Sequence, residues 1–145
     1  MKYTWLAGIL LLGFLVVPAG AQTTGAVPTG ETSLGTVTIP RTVMADGKPL
    51  MRGRYQVRLT AQAAMPAVAG QSMERWVEFV QGGETKGREV VSIVPADEWD
   101  QLYGETGPRP ATGGVRVEML KGNDYLRIWI NRGGINYLIH LPPQS

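Results

Sequence analysis

The stretch that decides the fold is VRVEMLKGNDYLRIWINRGGINYLIHL, residues 115–141. Apolar and polar residues alternate through it with period two, broken at Gly122-Asn123 and at Gly133-Gly134. That is the pattern of three strands joined by tight turns. Register follows from asking which turns keep apolar residues on one face, because a slip of one residue inverts both faces. A two-residue turn at Gly122-Asn123 opposes Val115 with Ile130, Val117 with Ile128 and Met119 with Leu126. A two-residue turn at Gly133-Gly134 opposes Ile130 with Tyr137, Ile128 with Ile139 and Leu126 with Leu141. Paired glycines suit the positive φ angles of such a hairpin. A three-residue loop there would set Ile130 against Asn136 and Leu126 against His140, mixing core and polar positions.

One face of this meander is therefore expected to be core, from Val115, Val117 and Met119 through Leu126, Ile128 and Ile130 to Tyr137, Ile139 and Leu141. The other face carries Arg116, Glu118, Leu120, Tyr125, Arg127, Trp129, Asn136, Leu138 and His140. Two rows cross it, Glu118–Arg127–His140 and Arg116–Trp129–Leu138. The first predicts an ion pair and the second a cation–π contact. Alternation alone does not distinguish an open second face from one covered by another part of the chain, such as the Ala-rich Gln62–Met73 segment.

Working outward, the same period predicts strands at Leu34–Ile39, Arg41–Met44, Arg54–Ala61, Arg75–Gln81 and Arg88–Val94, ahead of Val115–Lys121, Asp124–Arg132 and Ile135–Leu141. One short helix is expected at Glu98–Tyr103, capped by Asp97 and stopped by Gly104. Gln62–Met73 and Gly104–Gly114 are connections. Short strands at regular spacing, without repeats or heptads, predict an all-β fold: an antiparallel β-sandwich of seven or eight strands, or alternatively a small β-barrel.

The beginning of the chain reads as an address. Lys2, the apolar run Trp5–Val17 and Ala19-Gly20-Ala21 make a signal peptide cleaved after Ala21. The run is about 13 residues where a bilayer crossing needs about 20. Expected organisation is a signal peptide at 1–21, a flexible lead-in at 22–33 and a single β domain at 34–145, in a protein that is secreted or periplasmic. Removing Lys2 from 14 basic residues against 12 acidic ones leaves a net charge of +1, which offers nucleic acid little attraction. The absence of cysteine excludes disulfides, thiol catalysis and Cys-based zinc sites, so apolar packing must hold the domain.

Few residues suggest chemistry. His140 is the single histidine and has the residue type of a general base, but the register sets it beside Arg127 and gives it no nucleophile. Ser33, Ser72, Ser92 and Ser145 lie in no G-x-S-x-G elbow. Asp97, Glu98, Asp100 and Glu105 match no calcium-loop spacing, and helix capping accounts for the aspartates. The Gly pairs at 82–83, 113–114 and 133–134 follow no strand that opens a helix, so they are turns and not phosphate cradles. No cofactor and no metal is expected.

The run Gly35-Thr-Val-Thr, Asp46-Gly-Lys-Pro-Leu50 and Gly53-x-Tyr55-x-Val57-x-Leu59 resembles carboxypeptidase regulatory-like and prealbumin-like β-sandwich modules, with Asp46-Gly47 as the turn. The match covers about 25 residues and departs at Met51-Arg52-Gly53-Arg54, where those modules carry a small-residue step. Glu74-Arg-Trp-Val-Glu-Phe and the closing Asn131-Arg-Gly-Gly to Leu141 resemble an uncharacterised family of small secreted bacterial β proteins. The resemblance implies a sandwich and carries over no functional residue.

The expected function is therefore a non-enzymatic binding or interaction module of the bacterial envelope, with Arg116, Tyr125, Arg127, Trp129, Leu138 and His140 as its contact face. A protein or carbohydrate of the envelope is the expected partner, and pairing through edge strands would give a dimer. Alternatives are a small carrier barrel for an apolar ligand and a hydrolase using His140 with an acid from Asp97–Asp100.

Overall fold

The computed structural model describes residues 26–64, 73–102 and 109–145, the side chains of 100–102 excepted. The expected signal peptide with its cleavage site, the beginning of the lead-in, most of Gln62–Met73 and residues 103–108 lie outside them. The fold is all-β, with strands β1 (Thr32–Ile39), β2 (Val43–Ala45), β3 (Lys48–Leu50), β4 (Gly53–Ala63), β5 (Met73–Gln81) and β6 (Glu84–Val94). A helix, α1 (Ala96–Leu102), precedes β7 (Val115–Met119), β8 (Leu126–Arg132) and β9 (Ile135–Leu141).

The C-terminal meander has the expected register. Val115, Val117 and Met119 oppose Ile130, Ile128 and Leu126. Ile130, Ile128 and Leu126 in turn oppose Tyr137, Ile139 and Leu141. At the β8–β9 turn, Gly133 and Gly134 both take positive φ, 61° and 79°, as a type I′ hairpin requires. The β7–β8 turn differs. Leu120 N donates to Tyr125 O at 2.9 Å and Asn123 N to Leu120 O at 3.0 Å, so a wider loop spans Lys121–Asp124. Gly122 at φ 91° suits the third position of a type II turn, and the loop restores the same register.

Seven strands form one antiparallel sheet in the order β1-β4-β5-β6-β9-β8-β7, and β1 and β7 approach each other so that it is nearly closed. Parity sets what closure would require. With every neighbouring pair antiparallel, the first and seventh strands run in the same direction, so only a parallel pairing could join them, and among the described residues none does. Inside, Val57, Leu59, Val77, Phe79, Val91, Ile93, Ile128 and Ile139 are wholly buried in a continuous apolar core.

The two ends of the curled sheet are closed differently. At one end the β2–β3 hairpin, turned by Asp46 and Gly47 at φ 47° and 73°, inserts Val43, Ala45 and Leu50 into the core. It is tied to the C-terminal segment by Met44 N donating to Pro142 O at 2.7 Å. The sequence pattern placed a strand at Arg41–Met44 and none at Lys48–Leu50, since a Pro-containing triplet is too short to show alternation. At the other end the segment before β1 crosses the sheet opening.

That segment packs against the domain. Strand β1 begins at Thr32 and not at Leu34, Val27 packs against the core, and the carbonyls of Pro28 and Gly30 accept hydrogen bonds from Arg75. The part of the 22–33 lead-in that is described is thus pinned to the domain. The helix starts at Ala96, where Pro95 O accepts from Glu98 N and Trp99 N at 3.1 Å. Pro95 ends strand β6 and takes the capping place assigned to Asp97, which sits in the first turn and favours the helix dipole from there.

Candidate functional site

The outer face of β7–β8–β9 brings together all six residues that the pattern singled out, and splits them into a covered half and an open half. In the cross-strand rows Arg116 opposes Trp129, which opposes Leu138, while Glu118 opposes Arg127, which opposes His140. Trp129 is only 1% exposed and Leu138 only 2%, because α1 lies over them and forms a second apolar cluster with Val94 and Trp99. Trp99 is the side chain that closes this cluster, stacking on Trp129. Trp129 and Leu138 are therefore not free contact residues: the helix supplies the cover that the sequence reading sought in Gln62–Met73.

Polar groups around the tryptophan pair are partly matched. Trp129 Nε1 donates to Asn136 Oδ1 at 2.9 Å, and Asn131 Nδ2 donates to Pro110 O at 2.9 Å. Asn131 and Asn136 are themselves a cross-strand pair, yet Asn131 Oδ1 and Asn136 Nδ2 are buried without partners among the described residues. Guanidinium groups flank the stack on both sides: Arg109 lies 5.7 Å from the Trp99 ring and Arg127 lies 5.5 Å from the Trp129 ring.

The open half centres on Tyr125, 44% exposed, whose ring meets the His140 imidazole edge to face at 6.1 Å and 87°. Arg127 borders this pair. Its Nε donates to Glu118 Oε1 at 2.9 Å and its Nη2 to the same oxygen, while Arg116 Nη2 lies 2.8 Å from Glu118 Oε2. One carboxylate thus orients two guanidinium groups. His140 is held below the ordinary histidine pKa, first by the protein packed around it and second by the charge of Arg127. It favours the neutral imidazole.

A second constellation was not anticipated. Arg75 falls in phase with Val77 and Phe79, so it points to the core side of the sheet, where it is 5% exposed. Its Nε donates to Thr60 O at 2.7 Å and its Nη2 to Gly30 O at 2.8 Å, with further bonds to Thr60 O and Pro28 O. Arg132 and Tyr137 lie at the same end. Burial raises the Tyr137 phenol pKa, against the opposing charges of Arg75 and Arg132. Period-two counting from Phe79 back to Arg75 contained the signal for an inward arginine.

Other expected features fall elsewhere. Among the described residues no three His, Asp or Glu side chains gather as a metal site. Glu105 and the Asp100 side chain lie outside the described residues. Trp76 sits on the outer face of β5 beneath the Arg88 guanidinium, 4.3 Å from its ring centroid. Comparison with family models, with curated proteins and with solved structures finds no match for this chain.

Proposed function

We propose that the protein is a non-enzymatic binding module of the bacterial envelope, secreted or periplasmic, that meets a protein or carbohydrate partner through the open half of the β7–β8–β9 face. The observation that carries this reading is the exposed Tyr125–His140 pair standing beside Arg127, which Glu118 holds in place. Tyrosine and histidine each offer an apolar body with a polar tip, and Arg127 adds a directed cation, the combination that recurs in contact surfaces. Strands β8 and β9 hold Arg127 and His140 from below and Tyr125 directly precedes β8, with Trp129 and Leu138 as packed supports, so little conformational freedom is lost on contact. The interior is filled by side chains, which favours a surface over an enclosed ligand site.

Site-specific photo-crosslinking tests the proposal. The mature protein carrying benzoylphenylalanine at position 125 is expected to give a discrete adduct with an envelope component. The same group at Gln56, on the outer face of β4, is expected to give none. His140→Ala should weaken the adduct at position 125 without shifting the unfolding midpoint. Equal labelling from both positions, or none from either, overturns the reading.

A further inference from the structure

At the end of the sheet away from the β2–β3 hairpin, Arg132, Tyr137 and Thr32 converge on a cleft of about 140 Å³ whose wall is completed by Ala26, Pro28 and Ile135. We propose that this cleft binds a small carboxylate, its charge met by Arg132 and by the buried Arg75 behind Pro28, its body resting on the apolar wall. The site is separate from the Tyr125–His140 surface, because Arg132 and Ile135 stand at the opposite ends of β8 and β9.

Four observations converge. Arg75 is almost wholly buried and meets only backbone carbonyls, those of Thr60, Pro28 and Gly30, so among the described residues no carboxylate balances its charge. Carbonyl dipoles solvate a guanidinium without neutralising it, and the region keeps a positive field. Arg132 is exposed and, among the described residues, forms no ion pair. Tyr137 lines the cleft, and among the described residues its hydroxyl has no hydrogen-bond partner, leaving a donor for an anion.

The fourth is the lining itself, which among the described residues contains no acidic residue and adds Ala26, Pro28 and Ile135 to the donors. A guanidinium fork with a nearby hydroxyl matches a planar carboxylate. An apolar wall matches an aliphatic or aromatic body better than it matches a phosphate, whose remaining oxygens would need further donors.

Titration of the mature protein, followed by backbone amide shifts at constant ionic strength, tests this with four probes: sodium hexanoate, hexanamide, N-acetylleucine and sodium phosphate. Saturable shifts at Thr32, Gly133 and Ile135 are expected with hexanoate and not with hexanamide. Arg132→Gln should weaken hexanoate binding roughly tenfold or more, and Tyr137→Phe by less, since a charge-assisted bond is worth more than a neutral one. Arg132 is exposed, so its replacement leaves the fold intact and the test stands without touching Arg75. If N-acetylleucine binds more tightly than hexanoate, the natural ligand class is a peptide C-terminus; if it binds less tightly, a free organic acid. Either result supports the site. Equal binding of the amide, binding of phosphate alone, or an unchanged affinity in Arg132→Gln overturns it.

Discussion

Trp99 stacks on Trp129, with ring centroids 4.5 Å apart and ring planes 29° apart, and this pair makes the outer face of the β8–β9 hairpin into a second core. Thirty residues of chain separate the two rings, so the contact also fixes where α1 sits. Removing either ring should therefore act on stability first. Trp129→Ala is expected to lower unfolding free energy by about 3–5 kcal/mol, the range for deleting a buried aromatic. A double-mutant cycle with Trp99→Ala should return a coupling of roughly 0.5–1.5 kcal/mol beyond area burial. Urea unfolding of the three variants measures this, and a coupling near zero would mean that the rings do not meet in solution.

This relationship marks the boundary of what sequence pattern could reach. Pairings such as Val117 with Ile128 and Ile130 with Tyr137 were legible because alternation and two glycine turns leave a single register that keeps the faces sorted. The burial of Trp129 was not legible. It depends on a seven-residue helix folding back across the sheet, a non-local contact that no period encodes. Arg75 was readable in phase with Val77 and Phe79, but composition argues against an inward arginine, and its partners are carbonyls, which have no residue signature. The β2–β3 hairpin falls between, since its turn dipeptide was visible and its second strand was not.

Arg75 holds the segment before β1 against the end of the sheet, so its loss should loosen that segment before the rest. Arg75→Met leaves the Thr60 carbonyl without its partner, while Pro28 and Gly30 recover water only by peeling away. A loss of about 2–4 kcal/mol is expected, since each orphaned buried group costs roughly 1–3 kcal/mol. Limited proteolysis should cut near residues 26–31 in the variant under conditions that spare the wild type. Arg75→Lys should recover less than half, because an ammonium cannot reproduce the fork. Wild-type protease resistance in Arg75→Met would show that the segment is held by other contacts.

His140 has a definite sign in its pH dependence. Its folded pKa lies below the unfolded value, so in the window under the ordinary histidine pKa the unfolded chain binds more protons. Stability therefore rises as pH increases through that window and falls as pH decreases. The side chain is exposed, which keeps the contribution small. Comparing unfolding at pH 7.5 and 5.5 should show a drop in the wild type that His140→Asn reduces. Arg127→Gln removes one of the two causes and leaves only burial, so it should raise the His140 pKa in an NMR titration. A downward shift in that variant would reverse the assignment of cause.

The hairpin that fills the opposite end depends on a glycine in the strand beneath it. A Cβ on Gly87 would stand 3.2 Å from Leu50 Cδ1, closer than side chains ordinarily pack, and 3.4 Å from Ala45 Cβ, at the edge of ordinary contact. Leu50 is buried and has little room to withdraw, so Gly87→Ala should lift the hairpin at a cost of about 1–3 kcal/mol, the range for overfilling a packed site. Leu50→Ala alone should cost about 2–5 kcal/mol through the cavity it leaves. The added methyl of Gly87→Ala would occupy part of that cavity, so the double variant should be more stable than the two separate losses sum to, by a margin measurable in urea unfolding. Strict additivity would show that Gly87 and Leu50 do not share a space, and that the hairpin approaches strand β6 less closely than the geometry requires.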